Sequence, residues 1–185
     1  MTATMRIIIP ADENPALRKE SRPLMHAEIT GPRIRTLIAD MKELLSHEEY
    51  GVALAAPQVG EALRLFIVSG HALSKRRGKT SDDAEASGEP VEAPVVPDQV
   101  YINPSITKMS RGKKEKHEGC LSIRGKWGMV PRAEKVTLTA FDEDGRPITR
   151  GASGFLAHIF QHEMDHLEGI LYTDKAVAVY DEKES

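Results

Sequence analysis

The sequence holds one cysteine, Cys120, among 185 residues. An internal disulfide is therefore excluded, and a reducing cytoplasm is the expected setting. No apolar run approaches the ~20 residues that span a bilayer, so no membrane partner is expected. Residues 1–15 carry one arginine, a very short apolar run and two early acids. That is neither a secretory leader nor an acid-poor transit peptide. Charge of one sign is also scarce: the formal net charge is −3. It offers no electrostatic case for nucleic acid, and no direct nucleic-acid binding is expected. No internal repeat is present.

What remains suits one compact domain, 1–185, with 40% hydrophobic and 29% charged residues. Residues 32–49 predict a helix: Thr30 and Pro32 suit its start, Ile34, Leu37, Ile38, Met41, Leu44 and Leu45 recur at helical spacing, and Gly51 suits its stop. Arg64–Ser69 and Val100–Asn103 read as strands, the second ending at Pro104. Residues 71–98 lose all periodicity and predict a mobile insertion. Residues 134–150 alternate apolar and polar around Asp142–Gly145 and predict a hairpin. A last helix is expected from Ser153, as N-cap, to Gly169, with Phe155, Leu156, Ile159 and Phe160 as its apolar surface. Strands that meander instead of alternating with helices predict an α+β fold, with mostly antiparallel sheets around a central helix.

That last helix contains His162-Glu163-Met164-Asp165-His166. Residues i and i+4 lie on one helix face a turn apart, so both imidazoles can reach one cation, with the glutamate placed to move protons. His158 continues the stripe. It cannot join His166 on one ion, because eight residues span about 12 Å at 1.5 Å per residue. Geometry alone allows 158/162 or 162/166; the position of Glu163 favours the second. His158 is then a helix-face group, second to the ligands or on a pocket wall. A catalytic site needs a third protein ligand and an open position. Cys120, in His117-Glu118-Gly119-Cys120-Leu121-Ser122, is the best candidate, against the alternatives of core filler or nucleophile. Gln58, at the end of a Gly/Ala-rich apolar stretch, reads as a buried, partnered amide.

Three stretches, Gly51-Val-Ala-Leu-Ala-Ala-Pro-Gln58, Glu118-Gly-Cys-Leu-Ser122 and Gln161-His-Glu-Met-Asp-His166, resemble in order the three motifs of peptide deformylases. The likeness extends through Ile7–Pro10, Leu17-Arg18, Ile102–Pro104, Val130–Arg132 and the last helix. It implies removal of formate from the N-formylmethionine of nascent polypeptides, in a bacterial cytoplasm. By this resemblance Cys120, His162 and His166 hold one divalent metal, Fe²⁺ natively, with Zn²⁺, Ni²⁺ or Co²⁺ as substitutes. Glu163 is the general base and acid for an activated water, and Gln58 and the Leu121 backbone N–H form the oxyanion hole. Val52 and Ala53 pair with the extended substrate, while Gly119, Trp127, Phe155 and Ile159 border the methionine pocket. Glu118 and Arg132 look like a structural ion pair. Ala53 stands where the motif usually has glycine, and Arg124 where many bacterial members have proline. The end at Ser185 implies no long ribosome-docking helix, although transient ribosome contact stays open, and places the chain near the mitochondrial-like, short-tailed branch. The alternatives are a zincin-type metallopeptidase and a non-catalytic homologue that binds formyl peptides or ribosomes.

Overall fold

The computed structural model describes residues 6–70 and 96–182. The insertion expected at 71–98 lies outside the described residues except for 96–98. After a short 3-10 turn, Pro15–Arg18, and a one-turn helix α1, His26–Ile29, the first long helix is α2, Pro32–His47. Pro32 sits in its first turn, where a missing N–H costs nothing. Gly31 holds the cap position, not Thr30, and Glu48 ends the helix before Gly51. Ile34, Leu37, Ile38, Met41 and Leu45 form its buried stripe.

Five strands build the larger sheet, in the order β1-β2-β3-β6-β7. They are β1 Ala53–Ala55, β2 Leu65–Val68, β3 Gln99–Met109, β6 Lys135–Phe141 and β7 Pro147–Ser153. The smaller sheet, β4-β5-β8, contains β4 Lys113–Cys120, β5 Ile123–Ala133 and β8 Ala178–Asp181. All pairings within both sheets are antiparallel. The α+β expectation therefore holds, and so does the 134–150 hairpin, whose second strand runs on to Ser153.

β1 and β2 are buried on both faces, which explains their unbroken apolar sequence. Leu54, Leu65, Ile67, Val100 and Ile102 meet α2 on one side. On the other, Ala53, Ala55, Phe66, Val68, Tyr101 and Leu138 meet α3, Gly154–Leu167, through Ala157, Ile159, Phe160, Met164 and Leu167. Ser153 occupies the N-cap position of α3, but its side chain makes no capping hydrogen bond. Leu167 ends the helix. Gly169 follows at φ 72°, where a Cβ would lie 3.0–3.1 Å from the backbone of Arg18 and Lys19. Only glycine combines that φ with that approach.

β3 does not stop at Pro104. The strand crosses it through a register shift between Ile102 and Ser105, with Asn103 at φ 49°. A bulge is where a strand tolerates a proline. The Asn103 side chain holds the segment by accepting from Leu24 N–H (2.8 Å) and donating to Leu24 C=O (2.7 Å).

Candidate metal centre

α3 turns its remaining face toward the smaller sheet, and the candidate residues meet there. Cys120 ends β4, and His162 and His166 lie a turn apart on α3. One ligand atom from each falls within 4.8 Å of the other two. Cys120 Sγ is 3.3 Å from His166 Nε2, and the two imidazoles cross at 88° with centroids 4.8 Å apart.

Gln58 arrives from the larger sheet. It sits in the 3-10 turn Ala56–Val59 directly after β1 and is 2% exposed. Its Oε1 accepts from Ala55 N–H at 2.8 Å, so the other end of the amide must be the donor. That Nε2 points at Cys120 Sγ (3.5 Å) and Ser122 Oγ (3.4 Å). Leu121 follows Cys120 in the turn between β4 and β5.

Glu118 organises the other side. Its buried carboxylate accepts from His162 Nδ1 (2.7 Å), His158 Nε2 (2.6 Å), Arg132 Nε (2.6 Å) and Arg132 Nη2 (3.0 Å). Arg132 Nη1 also donates to Asp165 (2.6 Å), which in turn receives Lys175 Nζ (2.6 Å). Burial alone would raise the Glu118 pKa, but the donors from His158, His162 and Arg132 prevail and hold it well below the usual carboxylate range. With Nδ1–H engaged by Glu118, His162 keeps Nε2 for the cluster. A carboxylate behind an imidazole is the usual support of a metal-ligating histidine.

Burial opposes charge on both imidazoles. For His162 the contacts with Cys120 and Glu118 outweigh it and raise the pKa, whereas His166 is pushed down by burial and by the neighbouring His162 charge. Glu163 is 3% exposed, and its Oε2 has no hydrogen-bond partner among the described residues. Burial pushes its pKa up to about 7, aided by Glu118 and opposed by His162 and Arg132. A carboxyl titrating near neutrality suits proton exchange with a reacting group. One thiol and two imidazoles fit a borderline divalent metal such as Fe²⁺ or Zn²⁺.

The remaining expected residues surround this point without forming one wall. Val52 precedes β1 and accepts from Ser69 N–H (2.9 Å). Ala53 is buried in the core shared with α3, as is Ile159, while Phe155 is half-buried against it. Trp127, 36% exposed, lies flat on Gly119, where a Cβ would meet the indole at 3.3 Å. A separate concavity of about 570 Å³ opens beyond Arg132, lined by Arg64, Met109, Lys113 and Lys175, and contains none of Gln58, Cys120, His162 or His166.

Sequence reasoning missed Ser122, Tyr172 and the convergence on Glu118. Tyr172 is 1% exposed, stacks on His162 (6.2 Å, 23°) and donates to Lys126 C=O (3.0 Å). Burial pushes its phenol up to about 12. Glu118 is legible in the sequence only as a partner of Arg132, because the register shift between Glu118 and Cys120 breaks the simple alternation that would have placed the two on one strand face.

An α+β scaffold that brings a thiol, two imidazoles and a buried glutamate together is that of a metal-dependent hydrolase. The family model for polypeptide deformylase matches residues 6–182, and the chain belongs to that family. Peptide deformylase 2 of Clostridium acetobutylicum is 39% identical over 166 residues, covering 90% of this chain and 92% of that protein. Among solved structures, a Legionella pneumophila peptide deformylase superposes with TM-score 0.72 at 34% identity, covering 93% of this chain and 86% of its own. An Acinetobacter baumannii class I type b peptide deformylase, bound to Met-Ala-Ser, gives 0.73 at 28% identity, with 94% and 99% covered. The chain is therefore an enzyme, a metal-dependent peptide deformylase acting on formylated nascent peptides. Neither the metallopeptidase nor the non-catalytic alternative is favoured by these relatives.

Proposed function

We propose that this chain, as a single catalytic domain, hydrolyses the formamide bond of N-formylmethionyl chains at the point where Gln58, Cys120, Glu163 and the two histidines converge. The observation that carries the reading is the ligand cluster: Sγ and two imidazole nitrogens within 4.8 Å, with a buried amide donor 3.5 Å from the sulfur. Cys120, His162 and His166 would hold one divalent ion, Fe²⁺ natively with Zn²⁺, Ni²⁺ or Co²⁺ as substitutes. When bound, it supplies Lewis acidity toward water and the formyl carbonyl.

Glu163 takes the proton of the attacking water and returns it to the nitrogen as the C–N bond breaks, leaving formate and a free amine. Gln58 Nε2–H and Leu121 N–H donate to the carbonyl oxygen as it gains charge. The edge strand at Val52 and Ala53 pairs with the extended peptide backbone, so side-chain identity beyond the first residue matters little. Gly119, Trp127, Phe155 and Ile159 border the space for methionine. Met-Ala-Ser, bound in the Acinetobacter baumannii structure, is the kind of chain that remains once formate has left. We place the enzyme in the cytoplasm, in transient contact with ribosomes; no helix among the described residues is long and apolar enough to cross a membrane. Formate release from formyl-Met-Ala-Ser by Fe²⁺- or Co²⁺-loaded protein tests the reading. It fails if loaded protein releases no formate.

A further inference from the structure

His158 makes a contact that its position in the helix stripe does not explain. Its Nε2 lies 2.6 Å from Glu118 Oε1, while His162 Nδ1 lies 2.7 Å from Oε2 of the same carboxylate. A carboxylate offers about four lone-pair sites in its plane. Arg132 takes one on each oxygen, through Nε at 2.6 Å and Nη2 at 3.0 Å. His158 and His162 take the remaining two, so every acceptor site of Glu118 is filled. The carboxylate and two of its partners are confined as well: Glu118 is 3%, Arg132 4% and His158 7% exposed.

We propose that His158 is a positioning residue for His162, acting through Glu118. Arg132 alone leaves one free acceptor on each oxygen, so the carboxylate can tilt toward either. With Oε1 saturated by His158, only Oε2 is open, and it is the oxygen that faces His162. The His162 ring is thereby held as the Nδ1–H tautomer, with Nε2 directed at Cys120 and His166. The role needs a donor at Nε2 of His158, not a ligand atom, and so explains a third histidine that cannot reach the cluster. Phe155 packs edge-on to the His158 ring at 6.2 Å and 89°.

The inference rests on the reading of Cys120, His162 and His166 as metal ligands, and the test separates the two. Wild type, His158→Leu and His158→Gln are loaded with Co²⁺, and visible absorption and the rate of metal transfer to a chelator are measured. His158→Leu should shift the cobalt bands and release metal about tenfold faster or more, the range for lost support behind a ligand. His158→Gln, whose amide N–H can replace the Nε2 donor, should stay close to wild type. If wild type takes up no cobalt, the metal-site reading fails and takes this inference with it. If wild type binds cobalt and His158→Leu matches it in spectrum and release, or His158→Gln is as impaired as His158→Leu, this inference alone is overturned. Imidazole ¹⁵N spectra of the wild-type Zn²⁺ form give a variant-free check: His158 should be protonated at Nε2 and His162 at Nδ1. His158 protonated only at Nδ1 overturns the proposal.

Discussion

Gln58 and Cys120, 62 residues apart in sequence, meet with Nε2 3.5 Å from Sγ, while the far end of the same amide is held by Ala55 N–H at 2.8 Å. The donor is thus fixed before any substrate arrives. Gln58→Leu should lower kcat by about 10²–10³, the usual cost of an oxyanion-hole donor, with a smaller change in KM. Steady-state deformylation of formyl-Met-Ala-Ser checks this. A loss confined to KM would remove Gln58 from the oxyanion role.

If Glu163 carries the proton as proposed, Glu163→Gln should keep its metal and lose about 10²–10⁴ in kcat, because the variant leaves Cys120, His162 and His166 unchanged. Metal analysis beside kinetics separates this from a binding defect.

The same residue also affects the metal-free fold. A carboxyl raised from 4.5 to about 7 favours the folded state while protonated, so its stability is fully present below pH 4.5 and is lost as pH rises through 7. Metal-free Glu163→Gln should therefore be more stable than metal-free wild type at pH 8 by up to roughly 3 kcal/mol, at 1.36 kcal/mol per unit. The difference should close near pH 4.5. Urea unfolding at the two pH values measures it.

Cys120→Ser should retain substoichiometric Fe²⁺ or Co²⁺ after gel filtration, because a hydroxyl does not supply a thiolate to a soft-leaning site. Full metal content in this variant would show that the sulfur is not a ligand.

Arg132→Met leaves Glu118 and Asp165 buried without their shared cation. Removing one partner of such a cluster costs roughly 3–5 kcal/mol, to be read from denaturant unfolding of wild type and variant under the same metal loading.

Much of this architecture is legible in the chain because the signal is local. Ile34 to Leu45 carry the helical period of α2, and Val136, Leu138 and Ala140 carry the strand period of β6. The β4–β5 hairpin is not legible, for a physical reason. Lys113 to His117 are all exposed along a sheet edge, so no apolar alternation marks them. Lysines on an edge discourage strand addition, and they also hide the strand. β8 is equally exposed and equally silent. Pro104 reads as a stop because the bulge that accommodates it depends on Leu24, 79 residues from the clamping Asn103. At the site, the donors of Gln58, Cys120, His162 and His166 could be named from motifs. The sharing of Glu118 between His158 and His162 could not, because it depends on how β4 lies against α3.

The gaps of 62 residues between Gln58 and Cys120, and of 46 between Cys120 and His166, also bear on how the enzyme is made. Contacts this distant form only after long loops have closed, which delays them relative to local structure. No fragment that stops short of residue 166 contains even a partial version of the cluster with both imidazoles. Refolding should accordingly restore helical content before activity. An enzyme whose substrates are chains still being synthesised completes its own Cys120–His162–His166 cluster only after residue 166 has left the ribosome and docked.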